Sequence, residues 1–258
     1  MKQFINKILL VAKILIGFNL IALKYIFHLR RFVSACADAY SAASNAVSYE
    51  LDRIPRISLD AILGDRQASI NIRLVKYEDG MLPHNDLIVL LAILVAESPD
   101  EVLEIGTFMG HTTRQMAENL KKSIIHTVDL PENFSLQNSI GQLPKDDVHI
   151  IERRVVGREF KGQECNSRII QHFADTARWD FNSAGHPTFF FIDGSHNYEY
   201  CKNDSEKCFN LCNEKGIFLW HDCDERHPGV VKFVLEWRKK GRDVRRIFNT
   251  NMAYWKSF

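Results

Sequence analysis

Glu101-Val102-Leu103-Glu104-Ile105-Gly106-Thr107-Phe108-Met109-Gly110 is the stretch whose reading decides the fold. Its first half suits a short strand covered on both faces, and its second half is a glycine turn. Upstream, the apolar run Leu87 to Val95 suits a buried helix, and Pro99 separates it from the strand. Downstream, Thr112 to Leu120 reads as a helix that a threonine can cap, and Ile124 to Asp129 as a second strand. Strand, turn, helix, strand is thus the basic unit. Three more strand candidates follow at Val148-His149-Ile150-Ile151, Thr188 to Asp193 and Gly216 to His221. Helical stretches at Tyr198 to Asn213 and Val230 to Lys240 separate or follow them, and Val244 to Phe248 with Met252 to Trp255 finish as a hairpin-like pair. Such alternation predicts an α/β, Rossmann-like domain: a mainly parallel sheet, helices on both faces, and a ligand site at the strand carboxyl ends.

Chemistry is expected at those ends. Glycines at 106 and 110 let the backbone approach a ligand, while Glu104 can orient the turn and bind a cationic ligand group. The spacing departs from G-x-G-x-x-G, and a helix start poised for pyrophosphate would gain nothing from a carboxylate beside it. A phosphate-free nucleoside is therefore favoured over NAD. Asp129, ending the second strand, is placed to accept ribose hydroxyls. Asp193 and Asp222 end adjacent candidate strands, so their carboxylates can converge on a cation or on two reacting groups. His196, with an ordinary pKa near neutrality, is the first candidate for general base, and His221 is its competitor. Each has a plainer alternative: a tight turn needs glycine anyway, and a strand-end Asp or a His before a helix often serves as a cap.

Composition narrows the class. The chain has 258 residues, 33 basic and 32 acidic, for a net charge of +1, without the basic excess of a nucleic-acid binder. Its six cysteines (Cys36, Cys165, Cys201, Cys208, Cys212 and Cys223) form no CxxC pair and no zinc pattern, so reduced thiols and a cytoplasmic setting are expected. No internal repeat appears.

Residues 1–33 stand apart. The apolar run from Ile8 to Leu23 is interrupted by Lys13 and Asn19 and ended by Lys24. It falls short of the roughly 20 apolar residues of a spanning helix. At about 100° per residue, Lys2, Asn6, Lys13, Gly17, Lys24, His28 and Arg31 share one narrow side, the pattern of a helix lying in a membrane surface at the cytoplasmic face. A packing or oligomerisation helix is the alternative. Residues 34–80 read as a connector with a helical piece from Ala35 to Val47, and residues 81–258 as the catalytic domain.

Taken in order, the segments VLEIGTFMGHTT, IHTVDLP, VVGREFKG, FADTARWDF, FFFIDGSHNYEYCKND, GIFLWHDCD, HPGVVKFVLEW and NTNMA resemble the class I S-adenosylmethionine-dependent methyltransferases, especially a bacterial group found beside surface-polysaccharide genes. The resemblance spans residues 80 to 256. It implies a seven-stranded sheet, Glu104, Gly106, Thr107 and Gly110 in the first cofactor motif, Asp129 at the ribose, and Asp175 and Thr176 near the adenine. The implied reaction is methylation of a hydroxyl on a small molecule or glycan sugar. A looser similarity to catechol-type O-methyltransferases places Asp193 and Asp222 at magnesium and His196 at the proton-accepting position. Cys223 stands where that group has Asn, and a neutral thiol is a poor ligand for a hard ion, which puts magnesium in doubt. The rival readings are a membrane-docked binding protein that keeps the fold without catalysis, and an NAD-dependent oxidoreductase.

Overall fold

The structure, a computed structural model, describes residues 50–73 and 77–257, with Val33, Cys36 and Ser48 as isolated positions ahead of them. The chain divides into two compact units, Met1–Tyr49 and Glu50–Phe258, and all that follows concerns the second. Apart from Val33 and Cys36, the expected helices over residues 1–33 and from Ala35 to Val47 lie outside the described residues. No helix among the described residues is long and apolar enough to cross a membrane.

The elements, in order, are β1 (Arg56–Ile57), α1 (Leu59–Leu63), α2 (His84–Glu97), β2 (Glu101–Ile105), α3 (His111–Asn119), β3 (Ile124–Asp129), α4 (Lys145–Arg153), β4 (Ile169–Phe173), β5 (Phe189–Ile192), α5 (Tyr198–Leu211), β6 (Ile217–Trp220), α6 (Pro228–Lys239), β7 (Arg245–Ile247) and β8 (Ala253–Lys256). One sheet runs β1-β7-β8-β6-β5-β2-β3-β4. All pairings are parallel except those of β8, which lies antiparallel to both β6 and β7. The chain reverses direction across the sheet at β2, whose neighbours are β3 on one side and β5 on the other, so a crevice opens at their carboxyl ends.

The central strands read as unbroken apolar runs because both sheet faces are covered. Phe189–Ile192 and Ile217–Trp220 are buried at every position. On one face Phe190, Phe218, Trp220, Phe233, Trp237 and Trp255 pack together; on the other, Leu90, Leu94, Met116, Phe189, Phe191 and Leu219 do so. Tight offset and edge-on ring contacts, such as Trp220 against Trp237 at 5.1 Å between centroids, fix the spacing of β6 and α6. With that spacing fixed, the loops after β5 and β6 sit side by side.

Four expectations are corrected. The sheet has eight strands rather than seven. The additional β1 comes from the segment read as a connector and pairs with β7, Arg56 opposite Arg246. Val148 to Ile151, expected as a strand, is helical within α4, where Pro144 starts the turn and Asp146 and Asp147 occupy its acidic first turn. A four-residue apolar run does not carry enough periodicity to separate the two states. β4 was not foreseen, because at the sheet edge it alternates poorly and leaves Ile170 and Phe173 exposed. Finally, α3 is entered through Gly110 in the left-handed conformation with no side-chain cap, not through a threonine. The hairpin of β7 and β8 and the helices α2, α5 and α6 stand where expected.

Candidate active site

A cavity of about 440 Å³ opens at the carboxyl ends of β2, β3, β5 and β6. That volume lies in the range of small-molecule sites. Gly106, Thr107, Asp129, Thr176, Asp193, His196, His221 and Asp222 all line it, so the structure brings together most of the residues singled out in the sequence. Glu104, Gly110 and Asp175 lie behind the wall.

The glycine turn has a more specific cause than ligand approach. Gly106 sits at φ 100°, and a Cβ there would run into the backbone carbonyl of Asp193. A Cβ on Gly110 would press on the Phe160 ring at 2.6 Å and on Gly157. Both glycines therefore let neighbouring chain segments close on the turn, and the closure places Asp193 beside the first motif. Phe108, between them, is held at φ 49°, outside the usual range of a large side chain. Its amide donates to Asp129 Oδ2 at 2.7 Å, which helps hold the turn down.

Glu104 is fully buried and faces inward. It accepts hydrogen bonds from the hydroxyls of Thr113 and Thr127, the latter at 2.6 Å, tying β2 to α3 and β3. Its Oε1 has no partner. Burial pushes its carboxyl up to about 8 despite the two hydroxyls. It is a support for the turn rather than part of the cavity wall.

Asp129 ends β3 at the cavity and accepts from the Phe108 and Leu130 amides, each at 2.7 Å. Burial raises its carboxyl, opposed mainly by the Arg154 charge. Arg154 Nε lies 2.9 Å from Oδ1 but makes no directed hydrogen bond there, so the contact is one of charge. The Arg154 guanidinium instead donates to the carbonyls of Ile151 and Leu130. Leu130, Ile150 and Ile151 form an apolar wall beside this corner. Asp175 is turned away, accepting from Tyr200 Oη at 3.0 Å and from Arg178, while Thr176 reaches the cavity.

The opposite wall is a chain of alternating carboxylates and imidazoles. His196 donates from Nδ1 to Asp147 and from Nε2 to Asp222 Oδ2 at 2.6 Å. These two carboxylates outweigh its burial and push its imidazole up to about 10, so it is held as a cation. His221 lies 2.9 Å from Asp193 Oδ1 through Nδ1 and 3.1 Å from Asp86 Oδ2 through Nε2. It too is pushed well above its ordinary value, by Asp193 first among its partners, against strong burial. Burial raises Asp193, opposed by His221. Asp222 is buried yet held far below the usual carboxylate range by His196 and His221. It occupies φ 54°, an unusual conformation that suits a residue fixed by its partners. Cys223 is buried in the aromatic core with its thiol pushed up to about 12, so it contributes nothing to the cavity.

Three members of this wall were missed by sequence reasoning. Asp86 stands in the first turn of α2, Asp147 in that of α4, and His227 at the start of α6, where it pairs with Asp224, a residue the sequence offered only as a substitute metal ligand. An acidic first turn is a weak signal because it so often serves the helix alone.

Residues 103–223 match the family described as "Methyltransferase domain". This stretch of the chain is similar to a methyltransferase domain. Among solved structures, the Podospora anserina methyltransferase PaMTH1 with SAH bound is 16% identical, with a TM-score of 0.49 over 69% of this chain and 81% of its own. An O-methyltransferase from Bacillus cereus in complex with SAH is 15% identical, at 0.49 over 69% and 84%. TomG from Streptomyces achromogenes, an O-methyltransferase involved in tomaymycin synthesis and solved with SAM, is 13% identical, at 0.47 over 72% and 92%. No curated protein sequence matches the chain.

Proposed function

We propose that this protein transfers the methyl group of S-adenosylmethionine to a hydroxyl of a small-molecule acceptor, sugars among them, with Asp193 taking the acceptor proton. The observation that carries the reading is the single cavity shared by the Gly106 turn, Asp129 and Asp193. Its wall fits a nucleoside with a charged tail: a carboxylate at the ribose corner, apolar Leu130, Ile150 and Ile151 beside it for a purine, and Thr176 nearby. When bound, the cofactor supplies an electrophilic methyl on a sulfonium.

The chain supplies position and a proton acceptor. His196 has both ring nitrogens engaged by carboxylates, so it has no free lone pair for a substrate proton. Asp193 has one oxygen on His221 and leaves Oδ2 without a hydrogen bond, with a fifth of the side chain still exposed. Proton acceptance therefore fits Asp193 better than His196, and His221, backed by Asp86, orients it. His196 is then a fixed positive charge that holds Asp222 and Asp147 in place.

Magnesium does not fit this donor set. The hard ion asks for several oxygens, whereas Asp193 and Asp222 are each bound to imidazole and Cys223 is in the core. No step is assigned to it.

The test is labelled S-adenosylmethionine offered with a panel of sugars, phenols and aliphatic alcohols. Label appearing in an alkali-stable ether on one acceptor class supports the reading; label on nitrogen or carbon acceptors only would replace it. For residues 1–33, we propose peripheral attachment to an anionic membrane surface. A reporter fused to them should sediment with anionic liposomes, and one that stays in the supernatant would refute the attachment.

A further inference from the structure

We propose that a second pocket on the same edge of the sheet, walled by Arg56 and Arg246, binds a phosphate group, and that this phosphate belongs to the acceptor. The phosphate site stands on its own geometry; only its assignment to the acceptor rests on the methyl-transfer reading.

The pocket, of about 420 Å³, opens beside the carboxyl ends of β1 and β7. Arg56 and Arg246 stand opposite each other in the parallel register of those strands. Neighbouring strands run only about 4.8 Å apart, so two like charges share one stretch of wall, which costs stability unless something neutralises them. Nothing in the described chain does. Among the described residues neither guanidinium meets a carboxylate or a carbonyl oxygen, and Arg56 has only the Phe248 ring, 5.9 Å away. Nearby arginines behave differently. Arg245, one position earlier on β7, is held by Asp243 at 2.6 Å, and Arg53 by Glu50 at 2.9 Å. Arg242, the other described arginine without an oxygen partner, lies over the rings of Phe209 and Trp237.

The rest of the wall adds donors. Asn85, Asn249 and Asn251 line the pocket, and their side-chain amides have no partner among the described residues. Asn249 sits at φ 59°, in the tight turn that brings Asn251 round to the same pocket. Asp86 is the only carboxylate lining it among the described residues, and it is buried and already engaged. Its Oδ2 accepts from the Asn251 backbone amide at 3.2 Å and lies 3.1 Å from Nε2 of His221. Two guanidiniums and three amides without a free carboxylate make a site for an anion. A carboxylate ligand is filled by one guanidinium fork, whereas a phosphate offers enough oxygens for both. The volume, with Phe248 exposed at the rim, leaves room for the organic part of an ester.

Its position connects it with the acceptor. The pocket and the methyl-transfer cavity share Pro83 and stand on either side of the contact between Asp86 and His221. From β7 through β8 and β6 to β5 is three strand steps, roughly 14 Å. A phosphorylated acceptor of that length reaches Asp193 with its hydroxyl while the arginines hold its phosphate.

The experiment titrates the full chain, without cofactor, with inorganic phosphate and with pyrophosphate by calorimetry, against chloride at matched ionic strength. One pyrophosphate should bind per chain and raise the melting temperature, and Arg56→Gln and Arg246→Gln should each weaken it about tenfold or more. Absence of binding at millimolar pyrophosphate, a response that chloride reproduces, or binding unchanged in a folded variant overturns the site. Arg56 is exposed, so Arg56→Gln decides if Arg246→Gln does not fold. The acceptor assignment is tested with labelled S-adenosylmethionine and matched pairs of phosphorylated and dephosphorylated alcohols. Labelling about tenfold faster on the phosphorylated member, with the advantage lost in Arg56→Gln, supports it. Equal labelling within pairs, or none on any phosphorylated member, overturns it. A chain that binds pyrophosphate but not S-adenosylmethionine keeps the phosphate site and loses the acceptor assignment together with methyl transfer.

Discussion

The two walls of the cavity are built by different means. The wall at the ends of β2 and β3 is local: a glycine turn, a strand-end Asp129 and a buried Glu104, held by backbone amides and by packing against Asp193 and Phe160. The opposite wall is assembled from α2, α4, the loops after β5 and β6, and the start of α6, and is held by side-chain charge. The first depends on shape and the second on protonation. Substitutions should therefore act mainly on stability and cofactor binding at one wall, and mainly on turnover at the other.

Asp193→Asn gives the sharpest separation. It keeps the shape and removes the proposed proton acceptor, so turnover should fall about 10²- to 10⁴-fold while cofactor affinity stays within about threefold. A variant retaining more than a third of wild-type turnover would remove Asp193 from that role.

Gly106→Ala attacks the other wall. A methyl group at φ 100° would meet the Asp193 carbonyl, so unfolding by denaturant should show a loss of about 3 kcal/mol or more. A loss under about 1 kcal/mol would mean that the turn is looser than described.

Glu104 offers a pH test of the same wall. Its carboxyl is raised from 4.5 to about 8 by burial, so below about 4.5 it is neutral in both folded and unfolded chains and carries no penalty. As pH rises towards 8, the unfolded chain ionises freely and the folded one does not, so stability falls across that window. Glu104→Gln should remove that decline, a difference of roughly 5 kcal/mol at pH 9 in thermal or denaturant melts. Parallel pH profiles for wild type and variant would contradict the burial argument.

Arg154→Ala is the mildest. Loss of its charge beside Asp129 should weaken S-adenosylmethionine binding about tenfold, near 1.4 kcal/mol, with turnover at saturation nearly kept. A change in saturated turnover larger than the change in affinity would move Arg154 to the chemical step.

The same contrast explains what the sequence disclosed. The β2 turn and Asp129 are contiguous patterns, and the alternating strands and helices follow from apolar periodicity, so the domain's architecture was legible. Asp193, Asp222 and His196 were legible because they end strands or follow them directly. Asp86 is 135 positions from the histidine it supports, and Asp147 is 49 from His196, so no spacing rule connects them. Val148 to Ile151 was misread for a related reason: its helical state depends on Pro144 and an acidic first turn more than on its own apolar run. Glu104 was legible as a turn residue, but nothing in the segment revealed that Thr113 and Thr127 would hold it away from the cavity.

The most direct measurement is calorimetric titration of the folded chain with S-adenosylmethionine and with its demethylated product. The account requires one site per chain at micromolar affinity for both, weakened at least tenfold in Asp129→Asn. Absence of binding heat for both ligands across several temperatures, in protein whose melting curve shows it folded, would contradict it.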